Sequence, residues 1–207
     1  EEDSEEAAEA AEAAETEEAA PAALTPLDAF YQQALSTGVK VGEDLRKRVR
    51  GAIETLANGF IQATPGFLDR LRQADDDGAT TRALYDDILH IIYRILFLLF
   101  AEQRGMLPGR GSLYMDEFSL TALRTRAERP AADDAHLDLW ERLKTTFQMV
   151  EHGVPELGVF GYDGALLSSA CTPLLTPAAG VAAVPQIANS DLLSAVGEIA
   201  WVDDEDL

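Results

Sequence analysis

Cysteine, histidine and basic residues are scarce in this chain of 207 residues, and each shortage excludes a class of protein. The single cysteine, Cys171, cannot form an intramolecular disulfide, and it is typical of a reducing compartment. Three histidines, His90, His136 and His152, show neither the HExxH pattern nor a paired spacing, so we predict no metal site. With 16 basic and 37 acidic residues, the chain cannot coat DNA by charge alone, and any nucleic-acid contact must be local.

Motifs for catalysis and phosphate binding are also absent from the sequence. Gly109-Arg110-Gly111-Ser112 resembles a phosphate loop, but it lacks the Gly-Lys-Ser/Thr ending and a preceding strand, which indicates a surface turn. A second glycine-bearing loop, residues 158–164, has no phosphate-binding helix after it. We find no Glu-x-Lys nuclease pattern, no Asn/Asp-Pro-Pro-Tyr/Phe tetrapeptide and no glycine loop after a strand. We therefore predict no catalytic, metal-binding or cofactor-binding residue in this chain.

Long hydrophobic runs are missing as well. From Ile88 to Ala101 the chain is almost continuously apolar, but His90, Tyr93 and Arg94 interrupt the run. A bilayer-spanning helix needs about 20 apolar residues, which is more than this run provides. A core helix that neighbouring helices surround fits this composition better. We therefore predict an all-α fold, an irregular array of helices around one central buried helix, without a membrane partner.

Both ends of the sequence are acidic. Residues 1–20 contain ten acids, no Lys or Arg and no aromatic residue, and such a stretch cannot bury enough apolar surface to fold alone. We predict that residues 1–24 are a disordered linker, and a nucleic-acid mimic is the alternative. The acidic start is the opposite of a signal peptide's basic start. Because Glu1 and Leu207 both lie inside acidic clusters, we expect an internal piece of a larger cytoplasmic protein.

Start and stop signals divide residues 25–152, the predicted helical connector domain, into several helices. Pro26 is expected to begin the first, and Gly38 and Gly42 are expected to break the chain after it. Gly105 and Gly153 mark the ends of two later helices, as glycine commonly does. We predict helices over residues 26–37, 43–63 (ended by Pro65), 67–71, 81–104, 119–129 (capped by Ser119) and 133–152 (begun by Asp133 or Asp134).

The C-terminal quarter has a different composition. Residues 153–188 are rich in glycine, proline and small residues without convincing alternation, so we predict a Gly/Pro-rich loop region. Asn189 or Ser190 then caps a final helix, from Asp191 to about Ala200. Residues 189–207, this helix and an acidic end, are predicted to lead into a downstream domain.

Two polar residues lie within the apolar helix. His90 and Arg94 are four residues apart and face the same side, which favours a satisfied core position over a functional channel. Asp86, Asp87 and Glu102 belong to the same helix, but none is close enough to Arg94 along it. The partner of Arg94 must therefore come from another element.

The only clear basic cluster lies between residues 40 and 50. Such side chains can contact DNA phosphates, which positions a duplex without reading its sequence. A solvated helix face, offset by Glu43 and Asp44, is the alternative. Aromatic residues are not interleaved with the charges, which argues against a surface that stacks single-stranded bases. The candidate phosphate contacts are Arg46, Lys47, Arg48 and Arg50.

Residues 88–108, ILHIIYRILFLLFAEQRGMLP, resemble a helix of one large family. In the long single-chain restriction–modification proteins, type IIG and phage-defence relatives, a similar helix precedes an adenine-specific DNA methyltransferase domain. Residues 114–123, 139–147 and 162–167 resemble further segments, although Ala165 replaces a usual glycine and Leu167 a usual phenylalanine. The matching residues of the first segment are Tyr93, Arg94, Phe97, Ala101, Glu102, Arg104, Gly105, Leu107 and Pro108.

This resemblance covers roughly residues 27–200 and implies a helical connector between an upstream nuclease domain and a downstream methyltransferase domain. The parent protein would transfer a methyl group from S-adenosylmethionine to adenine, with DNA and the adjacent domains as partners. The resemblance places no catalytic residue in this chain. Two alternatives stay open: a stand-alone helical protein-interaction module, and a helical enzyme that uses His90 and Arg94 without an accompanying nucleophile.

Overall fold

The computed structural model describes residues 26–74, 78–129, 134–162, 164–177 and 184–200, with side chains from residue 42 onwards. The described residues contain no strand, only a β-bridge between Val154 and Val159, so the all-α prediction is confirmed. The predicted linker, residues 1–24, and the acidic end after Ala200 lie outside the described residues. The helices are α1 (Pro26–Ala63), α2 (Phe67–Ala74), α3 (Ala79–Gln103), α4 (Leu120–Ala127), α5 (Asp138–His152) and α6 (Asn189–Ala200).

The chain divides into two compact units, residues 1–41 and residues 42–207. In the first unit, the described residues are helical throughout. The second unit contains one hydrophobic core, to which α1, α3, α5 and α6 contribute most of the large side chains. Phe60 of α1 meets Trp140 of α5 edge to face, with ring centroids 5.0 Å apart. Leu143, Phe147 and Val150 on the predicted apolar side of α5 are buried as well.

The expectation that Gly38 and Gly42 break the chain is wrong, because α1 continues from Pro26 to Ala63. A glycine in a helix interior costs only about 1 kcal/mol relative to alanine, which the favourable residues of a long helix outweigh. The predicted end before Pro65 is confirmed. A proline is therefore the stronger stop signal in this chain.

α3 supplies the centre of the core through Ile88, Ile91, Ile92, Ile95 and Leu98, which are all almost fully buried. Its end is the predicted one. The residue after the C-cap, Gly105, has φ +67°, and its N–H donates to the Glu102 carbonyl at 3.2 Å. The N–H of Met106 donates to the Ala101 carbonyl at 2.9 Å, which completes the usual glycine-terminated helix end.

One face of α3 is exposed, and the expectation that neighbouring helices cover it on all sides is wrong there. Tyr85, Tyr93 and Phe100 are 48%, 49% and 51% exposed. Their spacing of eight and seven residues places them on one side of the helix. An apolar run identifies a helix that packs against others, but it does not tell which side lacks a neighbour. We call these three residues the aromatic face.

α5 begins at Asp138, later than the predicted start at Asp133 or Asp134, and its cap comes from another helix. Asn189, the first residue of α6, accepts a hydrogen bond from the Leu139 N–H at 3.1 Å. The amide nitrogen of Asn189 donates to Asp138 at 2.9 Å and to Asp134 at 3.1 Å. Asp133 lies outside the described residues. A cap that is 50 residues away cannot be found from a local pattern.

Candidate functional site

Three buried polar side chains of α3 attach this helix to the segments that follow it. Asp87, Arg94 and Glu102 are 3%, 1% and 7% exposed. Consecutive members lie seven and eight residues apart, so each is about two helical turns, or roughly 10–12 Å, from the next along the axis. Arg94 and Asp87 bind two parts of the loop that follows α5, and Glu102 binds the start of α4. We call them the anchor residues.

Arg94 binds the loop that follows α5. Its Nε donates to the Leu166 carbonyl at 2.8 Å, and its terminal nitrogens donate to the Ser168 carbonyl at 2.6 Å and to Thr172 Oγ1 at 3.2 Å. The guanidinium also lies 5.4 Å from the centre of the Phe147 ring. Burial lowers the pKa of Arg94 from its ordinary value. The prediction that its partner belongs to another element is confirmed.

His90 does not share these contacts. Its Nδ1 lies 2.7 Å from the Asp86 carbonyl, one turn earlier in the same helix. His136 and His152 are exposed and belong to other parts of the fold. His136 pairs with Asp134 at 2.8 Å. The geometry thus brings together no histidine, nucleophile and acid among the described residues.

Asp87 and Glu102 each accept hydrogen bonds from backbone N–H groups. One oxygen of Asp87, Oδ2, accepts from the N–H groups of Leu174 and Leu175 at 2.8 and 3.0 Å. Burial raises the pKa of Asp87, although these two bonds and the charges of His90 and Arg94 oppose the shift. Asp87 therefore attaches the far end of the loop to the start of α3.

Glu102 binds the N-terminus of α4 with both of its oxygens. Oε1 accepts from Tyr114 Oη at 3.0 Å and from the Leu120 N–H at 2.8 Å, and Oε2 accepts from the Thr121 N–H at 2.8 Å and its Oγ1 at 2.7 Å. The predicted cap, Ser119, accepts from the Ala122 N–H at 3.0 Å and is confirmed. Glu102 and Ser119 together accept hydrogen bonds from the N–H groups that the start of a helix leaves unpaired. The carboxylate also suits the positive end of the helix dipole.

The four candidate phosphate contacts lie on α1. Arg46, Lys47 and Arg50 are exposed and make no ion pair within the described part of the chain, whereas Arg48 is half-buried and pairs with Asp44 at 2.5 Å. The three exposed cations fall within an arc of about 100° on the helix surface. They are therefore available to an external anion.

The remaining sequence motifs are structural. The N–H of Ser112 donates to the Gly109 carbonyl at 3.2 Å, and Gly111 has φ +80°, so the predicted surface turn is confirmed. Cys171 is half-buried, with its sulfur 3.0 Å from the Ala165 carbonyl. The Tyr162 hydroxyl donates to the Met106 carbonyl at 2.7 Å, which joins the second glycine-bearing loop to the end of α3.

A cavity of about 580 Å³, which the sequence reasoning missed, lies between α5 and the loop of residues 166–177. Arg94, Phe147 and Leu167 are among the residues that line it, together with Lys144, Glu151 and Ala170. Only the unexplained charge of Arg94 could have indicated it from the sequence. Its walls belong to segments that are far apart in the chain.

Comparisons of the chain with family models, curated proteins and solved structures find no match in any of the three. Among the described helices, none has both the length and the apolar character required to cross a lipid bilayer.

Proposed function

We propose that this chain is a helical connector of a cytoplasmic restriction–modification protein that methylates adenine in DNA. In this proposal, S-adenosylmethionine and the catalytic residues belong to a downstream methyltransferase domain, and an upstream nuclease domain is a further partner. In this proposal, the connector separates the two neighbouring domains.

The observation that carries this proposal is that the segments with the family resemblance contact one another. Arg94 of the first segment binds the carbonyl of Leu166 in the last. Glu102 of the first binds Leu120 of the second. Thr146, in the third, donates to the carbonyl of Phe118 at 2.8 Å. Residues that match a family in order and also meet in space are those that a shared fold would need, which supports the resemblance.

The reading frame of the gene tests the proposal directly. We expect the frame to continue beyond the codon for Leu207 into a glycine loop that follows a strand. An Asn/Asp-Pro-Pro-Tyr/Phe tetrapeptide should then follow within a few hundred residues. A stop codon directly after Leu207 would contradict the proposal and favour the alternative below.

DNA binding by α1 is a second part of the proposal. Neutral replacements of Arg46, Lys47, Arg48 and Arg50 in the parent protein should weaken binding about equally for all DNA sequences, because side chains that bind phosphates do not read bases. The log–log salt slope should become shallower by roughly 0.9 for each phosphate that the protein no longer neutralises. We expect at most three such phosphates, because Arg48 is paired with Asp44. An unchanged affinity and salt slope would assign these cations to solvent.

The alternative function is a protein-interaction module, which the aromatic face of α3 favours. Exposed aromatic side chains on one side of a helix are typical of partner-binding surfaces. If Tyr93 and Phe100 bind a partner or a second copy, replacing both with serine should abolish association and leave the fold intact. Analytical ultracentrifugation of the chain, with and without these changes, tests self-association. A monomer in both cases would exclude a dimer through this face.

A further inference from the structure

The cavity between α5 and residues 166–177 has the size and lining of a small-molecule site. Its volume of about 580 Å³ exceeds what an ordered water or ion needs. Cavities that bind small organic ligands have volumes of roughly 300–1,000 Å³ and are mostly apolar, with a few polar groups. Phe147, Leu167 and Pro173 provide apolar lining here, and Arg94 is the buried charge.

Arg94 keeps part of its hydrogen-bonding capacity unused. A guanidinium carries five N–H groups, and the three hydrogen bonds to Leu166, Ser168 and Thr172 use only three of them. Among the described residues, no carboxylate lies in ion-pair contact with it. A buried cation is ordinarily paired with an anion, because its transfer out of water is otherwise costly. The carbonyl oxygens that surround Arg94 compensate this charge only in part.

The carboxylates around the cavity are engaged elsewhere. Glu141 binds Lys144 at 2.8 Å and accepts from Gln186 Nε2 at 2.9 Å. Glu151 accepts from the Ser169 N–H at 3.1 Å. Asp87 and Glu151 are near enough for their charges to act on Arg94, but neither contacts it. An anion in the cavity would therefore lie near a buried cation that lacks a direct counter-charge.

We propose that this cavity binds a small organic oxyanion, a carboxylate or a phosphate ester, with an apolar body. The anionic group lies at the end of the cavity nearest Arg94, and the body packs against the exposed lining residues Ala170 and Pro173. This site does not depend on the connector proposal, because it uses only residues of this chain and needs no DNA.

An NMR titration of the 207-residue chain tests the proposal with four probes. These are 3-phenylpropanoate, its neutral amide, 2-phenylethyl phosphate and inorganic phosphate. We expect at least one of the two organic anions to bind with a Kd at least tenfold below that of the amide. Its binding should shift the backbone signals of Ser169 to Cys171 and the Nε signal of Arg94. The anion that binds more tightly identifies the headgroup.

Three outcomes would overturn this assignment: no binding of either organic anion, equal binding of the anions and the amide, or equal binding of inorganic phosphate and the organic anions. Equal binding of the anions and the amide would indicate an apolar cavity without anion recognition. Equal binding of inorganic phosphate and the organic anions would indicate a nonspecific ion effect.

Variants that fill the cavity provide the second test. Ala170 and Thr145 are exposed lining residues, so Ala170→Trp or Thr145→Trp should fill the cavity without changing the core. Either should raise the Kd at least tenfold. Ala79→Trp, at an exposed position at the start of α3, is the matched control and should leave the Kd unchanged. A correctly folded Ala170→Trp or Thr145→Trp protein that retains the original affinity would place the ligand elsewhere.

Discussion

Glu102 and Asp87 are buried carboxylates on the same helix, yet we predict that loss of charge destabilises the chain markedly at Glu102 and only slightly at Asp87. In Glu102→Gln, an NH₂ group replaces one of two oxygens that each accept a backbone N–H. Whichever way the amide turns, the N–H of Leu120 or of Thr121 loses its acceptor. The hydroxyls of Tyr114 and Thr121 can rotate to compensate. The backbone groups cannot.

The expected loss for Glu102→Gln follows from this count. A buried N–H without a partner costs about 1–3 kcal/mol, and the remaining hydrogen bonds to a charged acceptor become weaker. We therefore predict a decrease of about 2–4 kcal/mol in the free energy of unfolding. A domain has only about 5–15 kcal/mol in total. The variant should fold, but its melting temperature should be markedly lower.

Asp87→Asn is the matched control. Among the described residues, Asp87 accepts hydrogen bonds only at Oδ2, so an asparagine oxygen in its place keeps both bonds to Leu174 and Leu175. The change also removes a charge that burial destabilises, as the raised pKa of Asp87 indicates. We expect a change in unfolding free energy within about 1 kcal/mol. Urea denaturation followed by circular dichroism measures both variants. Equal losses would refute the assignment of hydrogen bonds to particular oxygens.

Three further predictions concern packing, cofactor and pH. Gly59→Ala should destabilise the chain by about 1–3 kcal/mol, because the added Cβ would lie 2.8 Å from the Ile187 side chain. Gly197→Ala should stabilise it by up to about 1 kcal/mol, because no atom lies within 4 Å of the added Cβ. Thermal denaturation compares the two, and equal effects would contradict the close approach. Equilibrium dialysis should detect no saturable binding of S-adenosylmethionine at micromolar concentrations, and such binding would reveal a cofactor site in this chain. Burial and the Glu102 carboxylate raise the pKa of Tyr114, so its contribution to stability is complete below the unfolded pKa of about 10 and is lost as the pH rises above it. In Tyr114→Phe, the free energy of unfolding should fall less as the pH rises, and urea titrations at several pH values measure this decrease. An unchanged decrease would mean that groups other than Tyr114 cause it.

Local signals in the sequence predicted the parts of the fold that depend on local chemistry. Gly105 and Ser119 end and begin helices where the pattern placed them, because the conformation of one residue and the hydrogen bond of one side chain decide these boundaries. The apolar side of α5 follows from helical spacing alone. Arg94 was recognisable as a residue in need of a tertiary partner, because a buried guanidinium within an apolar helix requires hydrogen-bond acceptors from another element.

Features that depend on distant partners could not be predicted in this way. The aromatic face is composed of the same residue types as the buried side of α3, so only the positions of the other helices distinguish them. The cavity exists because Arg94 holds residues 166–172 against α3 while α5 lies beside them. The four candidate phosphate contacts on α1 are close together in the sequence, but the pairing of Arg48 with Asp44 leaves three exposed cations among them.

The cap that Asn189 provides for α5 has a consequence for synthesis of the chain. A polypeptide emerges from the ribosome with its N-terminal part first. When Leu139 in the first turn of α5 has emerged, Asn189, which accepts its N–H, is still 50 positions behind. Arg94 similarly cannot form its hydrogen bond to the Leu166 carbonyl until that residue, 72 positions later, has been synthesised. We therefore expect residues 42–200 to complete their fold only after α6 has been translated, so a nascent chain that stalls before Asn189 should be a strong substrate for chaperones and proteases.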